Sequence, residues 1–371
     1  MSHSPNRAIS ATFIHSSNEM YGADRMLLRV LSALRHETSA TVWLPDDAPA
    51  TEHKLSNELA SERIEHEEHR LPIIRRANLT LLGAMRLARD TIAMSRVFRQ
   101  NKPDVVWCAT SAALPAALAA RFAGVDKIVL HNQEVWRPRE ASILGLFAIP
   151  VDRIVSISDA VHNSLPANAR RKSIVIPNSS DDVAQVSLPA DIAVTRFLMA
   201  SRWNGWKGHE TLLRAWAMAK EPGVLVIAGS APQSGTAVNV PELVESLGIG
   251  ASVEIIGEVA DLHDEIRRAH YVVMPSDQPE PFGLVAIEAL SEGRPVVASA
   301  GGGLGRIIVD GECGHLFPNR DVSALARVLA RTSVAESLRM SAAARARYMS
   351  NYSREAFEQS LRAEWERLIA E

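Results

Sequence analysis

Short apolar runs rich in β-branched residues alternate with longer stretches of helical period along almost the whole chain, which predicts βαβ units built on parallel sheets. In the first half the runs are ISATFIH, ATVWLP, DVVWCAT, KIVLHN, RIVSIS and SIVIPN; in the second they are RFLMAS, VLVIAGS, VEIIGE, YVVMPS, RPVVAS and GHLFP. Between the halves, residues 178–194 are polar, lack a helical period and contain a proline, so they read as a linker. The pattern therefore predicts an α/β protein of two doubly wound, Rossmann-like domains facing each other across a cleft. Their expected bounds are 1–180 and 195–350, joined by a linker at 181–194. In the tail, Phe357, Leu361, Trp365 and Leu368 fall at helical spacing. Residues 351–371 should thus form an amphipathic helix that packs back towards the N-terminal domain.

Composition narrows the class. At 371 residues the chain exceeds the size at which one core stops growing, in keeping with two domains. Hydrophobic residues at 47% and charged residues at 22% describe a soluble globular chain with no membrane span. The first residues, MSHSPNRAIS, hold no apolar core segment of the secretory kind, and a cytoplasmic setting is expected. Cys108 and Cys313 are too few and too distant for a disulfide framework or a zinc site. A formal net charge of −3 gives no reason to expect nucleic acid.

One segment departs from that balance. Over residues 73–102 the cations Arg75, Arg76, Arg86, Arg89, Arg96, Arg99 and Lys102 meet only Asp90, and they are interleaved with apolar residues such as Leu79, Leu82, Met85 and Ile92. The segment is basic and amphipathic, and two readings stay open: a core-packed helix with solvated arginines, or a surface for anionic lipid on a peripheral membrane protein.

Candidate chemistry follows from strand ends, because open parallel sheets bind ligands beyond the carboxyl ends of their strands. Glu280 follows the run YVVMPS, and PFGLVAIEAL then opens a helix near Pro281 and Gly283 that carries Glu288. The first-turn amides of such a helix form an anion site, so two carboxylates at different depths can touch different parts of one extended ligand. Arg202 and Lys207 follow RFLMAS, with a helix opening near Gly208. A planar fork and a mobile point charge suit a diphosphate that gains charge as a bond to it breaks. Gly22 lies in the first βα turn, where a residue without Cβ lets backbone approach a phosphate or sugar. His131 closes KIVLHN, while His209, His263, His270 and His315 gain no such support.

Absences count as well. No Asp-x-Asp occurs, so a metal-bridged site of the common carboxylate type lacks support, no metal or resident cofactor is expected, and cations with helix termini must neutralise the diphosphate. No Walker lysine pattern occurs, and AGGGLGRII fails the dinucleotide fingerprint at Ile308.

Taken together, EPFGLVAIEAL with Glu280 and Glu288, Arg202 with Lys207–Gly208, GGGL at Gly301–Leu304, IVSISDAV and VIPNSSD resemble the family 4 retaining glycosyltransferases of the GT-B fold. The resemblance runs over nearly the whole chain and is strongest from Arg196 to Pro318. It implies a nucleotide-sugar donor, UDP- or GDP-linked, lodged in the second domain, and a glycan or lipid-linked acceptor entering from the first, in surface glycan or glycolipid synthesis. Arg202 and Lys207 would grip the diphosphate, Glu288 the ribose and Glu280 the donor sugar. Backbone amides of Phe282, Gly283 and Leu284 would hold sugar and phosphate, with His131 near the donor sugar and Gly22 in the N-terminal glycine turn. Gly229, Gly257 and Val259 would border the base. Transfer would retain configuration by front-face attack, the departing phosphate accepting the acceptor proton. Three positions depart from the family pattern: YGAD in the first turn, Arg306 where a Glu is usual, and Ser179 for a Gly. Competing readings are a sugar-nucleotide epimerase of the same architecture, which would release altered donor without acceptor, and a non-catalytic sugar-nucleotide binder. A glycosidase would need its two carboxylates across one bond, and the phosphate-directed cations argue against it.

Overall fold

A computed structural model describes residues 8–47, 53–75, 80–183, 186, 193–231 and 237–371. The chain divides into two compact units, Met1–Pro177 with Glu358–Glu371, and Asn178–Phe357. In the first, β1 (Ile9–Ile14), β2 (Thr38–Pro45), β3 (Glu65–His69), β4 (Val105–Cys108), β5 (Lys127–Asn132), β6 (Arg153–Ser156) and β7 (Ser173–Val175) form one sheet in the order β3-β2-β1-β4-β5-β6-β7. In the second, β8 (Arg196–Ala200), β9 (Val224–Ala228), β10 (Val253–Gly257), β11 (Tyr271–Met274), β12 (Val296–Ser299) and β13 (Gly314–Phe317) take the order β10-β9-β8-β11-β12-β13. Neighbouring strands are parallel throughout. Both units are doubly wound α/β folds, as the apolar runs predict.

Each predicted run contains a strand, but β3 was not among them. Its sequence, EHEEH, has no apolar residue, and only His66 and His69 are partly covered. It is an edge strand paired with β2 alone, and charge on an edge discourages further chains from adding to the sheet.

One face of the first sheet is covered by the helices Leu81–Asn101, Leu114–Ala123 and Pro138–Phe147, which share a single core cluster. The middle helix buries Ala116, Ala117, Ala119 and Ala120, small side chains that let its neighbours approach closely. The second unit packs around Trp216, which is fully buried, meets Phe197 edge-on at 5.2 Å and donates its Nε1–H to Ser252 Oγ at 2.9 Å.

The expected domain bounds shift slightly. Residues 178–183 group with the second unit, because Tyr348 Oη donates to the Ser180 carbonyl at 3.0 Å and Arg345 pairs with Asp182 at 2.6 Å. Most of the expected linker lies outside the described residues. The last helix runs Arg354–Ala370, and its residues from Glu358 onward group with the first unit. Leu361, Trp365 and Leu368 are buried there; Trp365 lies 6.3 Å from Trp107, and Arg153 pairs with Glu364 at 2.9 Å and Glu371 at 2.6 Å.

Candidate functional site

In each sheet the strand order reverses once, between β1 and β4 in the first and between β8 and β11 in the second. Such reversals open a crevice at the carboxyl ends of the strands. Lys207 follows β8 and Glu280 follows β11, so the two arrive at the second reversal from its opposite sides. Lys207 Nζ donates to Glu280 Oε1 at 2.5 Å, and Ser276 Oγ donates to the other carboxylate oxygen at 3.2 Å. The Glu280 side chain is 5% exposed and that of Lys207 20%, so the carboxylate is enclosed while the ammonium stays reachable. Lys207 also lies over the Trp206 ring, 4.1 Å from its centroid.

Backbone packing holds this pair. The loop after β8 closes in a short 3-10 turn, Gly205–Lys207, and Gly208 begins the helix His209–Met218 at φ +80°. A Cβ at Gly208 would stand 1.9 Å from the Pro275 carbonyl oxygen, so only glycine lets the Lys207 loop close on the end of β11. The Asp277 N–H donates to the Trp206 carbonyl at 2.8 Å, and Thr211 Oγ1 donates to Asp277 Oδ1 at 2.7 Å. Glu280 is fixed from its other side by the glycine turn after β12. The Gly303 N–H donates to the Glu280 carbonyl at 2.7 Å, and a Cβ at Gly302, whose φ is +73°, would lie 2.1 Å from that oxygen. Asn319 Nδ2 donates to the Ser276 carbonyl at 2.7 Å.

Phe282 is buried and meets Tyr352 edge-on at 6.0 Å. Gly283, at φ +124°, is the cap of the helix Leu284–Ser291, so the first-turn amides begin at Leu284. Glu288 lies one turn further on and is buried. Its charge, after the hydrogen bond from His263 Nδ1 to Glu292 Oε1 at 3.0 Å, helps to raise His263 above its usual value against the effect of burial. Arg202 is exposed, on the same loop as Lys207. Gly229, just after β9, and Gly257, the last residue of β10, are joined by a 2.6 Å hydrogen bond from the Gly229 N–H to the Gly257 carbonyl. Ser230 Oγ donates to Glu258 Oε1 at 2.5 Å beside them, and Val259 follows, partly exposed.

At the first reversal, Thr110 after β4 donates to Ser16 after β1 at 2.9 Å. Here the structure groups polar residues that the sequence does not single out. His15 is fully buried and its Nε2 lies 2.9 Å from Asp24 Oδ1; Ser17 Oγ donates to the same oxygen at 2.7 Å, and the Tyr21 N–H to Asp24 Oδ2 at 2.8 Å. Burial alone would raise the Asp24 carboxyl, but the His15, Ser17 and Tyr21 hydrogen bonds together with the His15 charge hold it below its usual value. Gly22 proves to be the first residue of the helix Gly22–Ala33 rather than part of a free turn. His131 is 1% exposed, edge-on to Trp107 at 5.8 Å and within 3.2 Å of Gln133 Nε2; burial, then the His15 charge, pushes its pKa down to about 3. Glu134 is pushed up by burial while it accepts from Ser111 Oγ at 2.6 Å.

His209 is a second residue that sequence reasoning passed over. It is fully buried next to Lys207 and Gly208, and neither ring nitrogen has a hydrogen-bond partner among the described residues. Burial, then Lys207, lowers its pKa to about 4, so the ring is neutral at ordinary pH. The signal for His15 was available, since it directly follows β1 much as His131 lies next to the end of β5. No pattern marks His209, because its burial is a tertiary fact.

This fold is that of the GT-B glycosyltransferases. The Anabaena protein HepE in complex with UDP-glucose superposes with a TM-score of 0.80 at 20% identity, over 96% of this chain and 99% of that one. Sucrose-phosphate synthase from Thermosynechococcus elongatus gives 0.77 at 20% identity, over 98% and 99%. Residues 187–349, which contain Arg202, Lys207, Glu280 and Glu288, match the family model of glycosyl transferases group 1. D-inositol 3-phosphate glycosyltransferase of Mycobacterium tuberculosis (strain ATCC 25618 / H37Rv) is 36% identical over 197 residues, 51% of this chain and 40% of that protein. The match thus spans well under half the length of that relative.

Proposed function

We propose that this protein is a metal-independent, retaining glycosyltransferase of the family 4 type that moves a hexosyl group from a nucleoside diphosphate sugar to an acceptor hydroxyl in surface glycan or glycolipid synthesis. The observation that carries this reading is the Lys207–Glu280 pair at the strand reversal of the second sheet, beside the start of the helix Leu284–Ser291 and inside the region that matches glycosyl transferases group 1. An enclosed carboxylate next to a reachable ammonium and a helix N-terminus suits a ligand with sugar hydroxyls at one end of a diphosphate. The HepE complex with UDP-glucose supports a uridine donor, with GDP as the other candidate.

On this reading Lys207 and Arg202 hold the diphosphate with the amides of Phe282, Gly283 and Leu284. Glu288 takes the ribose hydroxyls, Glu280 the donor-sugar hydroxyls, and the base lies along Gly229, Gly257 and Val259. The anomeric carbon–phosphate oxygen bond breaks as the acceptor oxygen bonds to the same face of that carbon. The acceptor proton passes to a β-phosphate oxygen, so the products are the glycoside and the nucleoside diphosphate. Glu280 favours positive charge developing on the sugar. His131, uncharged until about pH 3, contributes as a neutral hydrogen-bonding ring towards sugar hydroxyls, and Gly22 offers backbone to the donor's phosphate or sugar.

The test begins with thermal stabilisation by UDP, GDP and their sugars. A nucleotide at a hundred times its dissociation constant should stabilise the protein by about 2.7 kcal/mol. With the donor so found, Lys207→Ala should lower the rate of nucleotide release by roughly a hundredfold or more. NMR of the product should show the donor's anomeric configuration, and a chelator should leave the rate unchanged. Near-wild-type turnover in Lys207→Ala, or inverted product, would overturn the assignment.

A further inference from the structure

The helix Leu81–Asn101 has no part in the proposed chemistry, yet its outer face is unlike an ordinary protein surface. Gly83, Thr91, Met94, Ser95 and Phe98 bury its inner side. On the outside Leu81 is 81% exposed, Leu82 69%, Met85 62% and Ile92 55%. Apolar side chains exposed singly are common, but a cluster along one helix marks a contact surface. Arginines intersperse the cluster: Arg86, Arg89 and Arg96 are exposed, and the one acid of the helix, Asp90, accepts from Arg70 at 3.2 Å and from Arg89 at 3.0 Å.

We propose that this face seats on an anionic lipid bilayer, the helix lying in the plane of the headgroups. Leu81, Leu82, Met85 and Ile92 would enter the acyl boundary while Arg86 and Arg96 extend to the phosphates. Charge selects the occupant. A second copy seated by a two-fold axis would bring the same arginines face to face, whereas a bilayer supplies an apolar layer directly beneath a negative one. Among the described residues no helix is long and apolar enough to cross a membrane, so the contact is with the surface. The inference goes beyond glycosyl transfer and does not depend on it, because lipid binding is read without any nucleotide sugar.

The experiment is co-sedimentation of the full chain with phosphatidylcholine vesicles and with vesicles in which phosphatidylglycerol replaces about a third of the lipid, with far-UV circular dichroism and thermal midpoint as folding controls. The wild type should pellet with the anionic vesicles alone and be released by 1 M salt. Arg86→Gln with Arg96→Gln should weaken binding roughly thirtyfold, from about fivefold per cation. Leu81→Ser with Leu82→Ser and Met85→Ser should weaken it by roughly tenfold or more. Equal pelleting with neutral vesicles, or none with either, overturns the proposal. So does a dimer in analytical ultracentrifugation that the serine variant dissolves while the wild type ignores lipid.

Discussion

Lys207 and Glu280 are 73 residues apart in the chain, and their nearness rests on glycines as much as on charge. Both candidates were legible because each follows an apolar run and stands near a Pro- or Gly-marked helix start. What the sequence does not contain is the hydrogen-bond geometry that encloses Glu280 and leaves Lys207 reachable. Gly302→Ala tests the scaffold: the Cβ would lie 2.1 Å from the Glu280 carbonyl oxygen at a backbone φ of +73°. We expect a loss of roughly 1–3 kcal/mol from backbone strain, read as a lower urea midpoint, with weaker nucleotide stabilisation because Glu280 is displaced. Unchanged stability would mean that this turn does not hold the carboxylate. His15, next to the end of β1, had the strand-end signal that singled out His131, whereas His209 had none. A histidine's burial is set by what packs over it, which no local spacing encodes.

Among elements, the central strands were readable and the edge was not. A strand covered on both faces reads as a nearly continuous apolar run, so β4, β5, β11 and β12 announce themselves, whereas β3 is specified by its pairing with β2 and carries only His and Glu. The helix Leu81–Asn101 was legible as basic and amphipathic. Structure then divided its two kinds of apolar residue, sending Met94 and Phe98 inward and leaving Leu81, Leu82 and Met85 outside. The terminal helix, Arg354–Ala370, buries Leu361, Trp365 and Leu368. Trp365→Ala should cost the first unit about 3–5 kcal/mol, since Trp365 is 3% exposed against Trp107. The measurement is urea unfolding followed by circular dichroism, and a loss below about 1 kcal/mol would show that the helix does not anchor there.

At the scale of the whole molecule, each unit buries a neutral histidine, and acid should act on both. In the unfolded chain His131 and His209 take up a proton below their ordinary value of 6.5; in the folded protein they do so only near about 3 and about 4. The unfolded state therefore binds more protons in that window, so stability is intact above pH 6.5 and falls as pH is lowered through it. From pH 7 to pH 5 each ring should cost roughly 2 kcal/mol, and the double variant His131→Asn, His209→Asn should flatten the dependence of the urea midpoint on pH. A slope identical to wild type would contradict this account. The sequence by itself determined the two doubly wound units, the terminal helix and the strand ends where chemistry was to be sought, because hydrophobic period and strand-end position are local properties of a chain. Only the tertiary structure decided the charged edge strand, the pairing of Lys207 with Glu280, the buried rings of His15 and His209, and which leucines of a basic helix face water, because burial and long-range pairing depend on what the remainder of the chain places alongside.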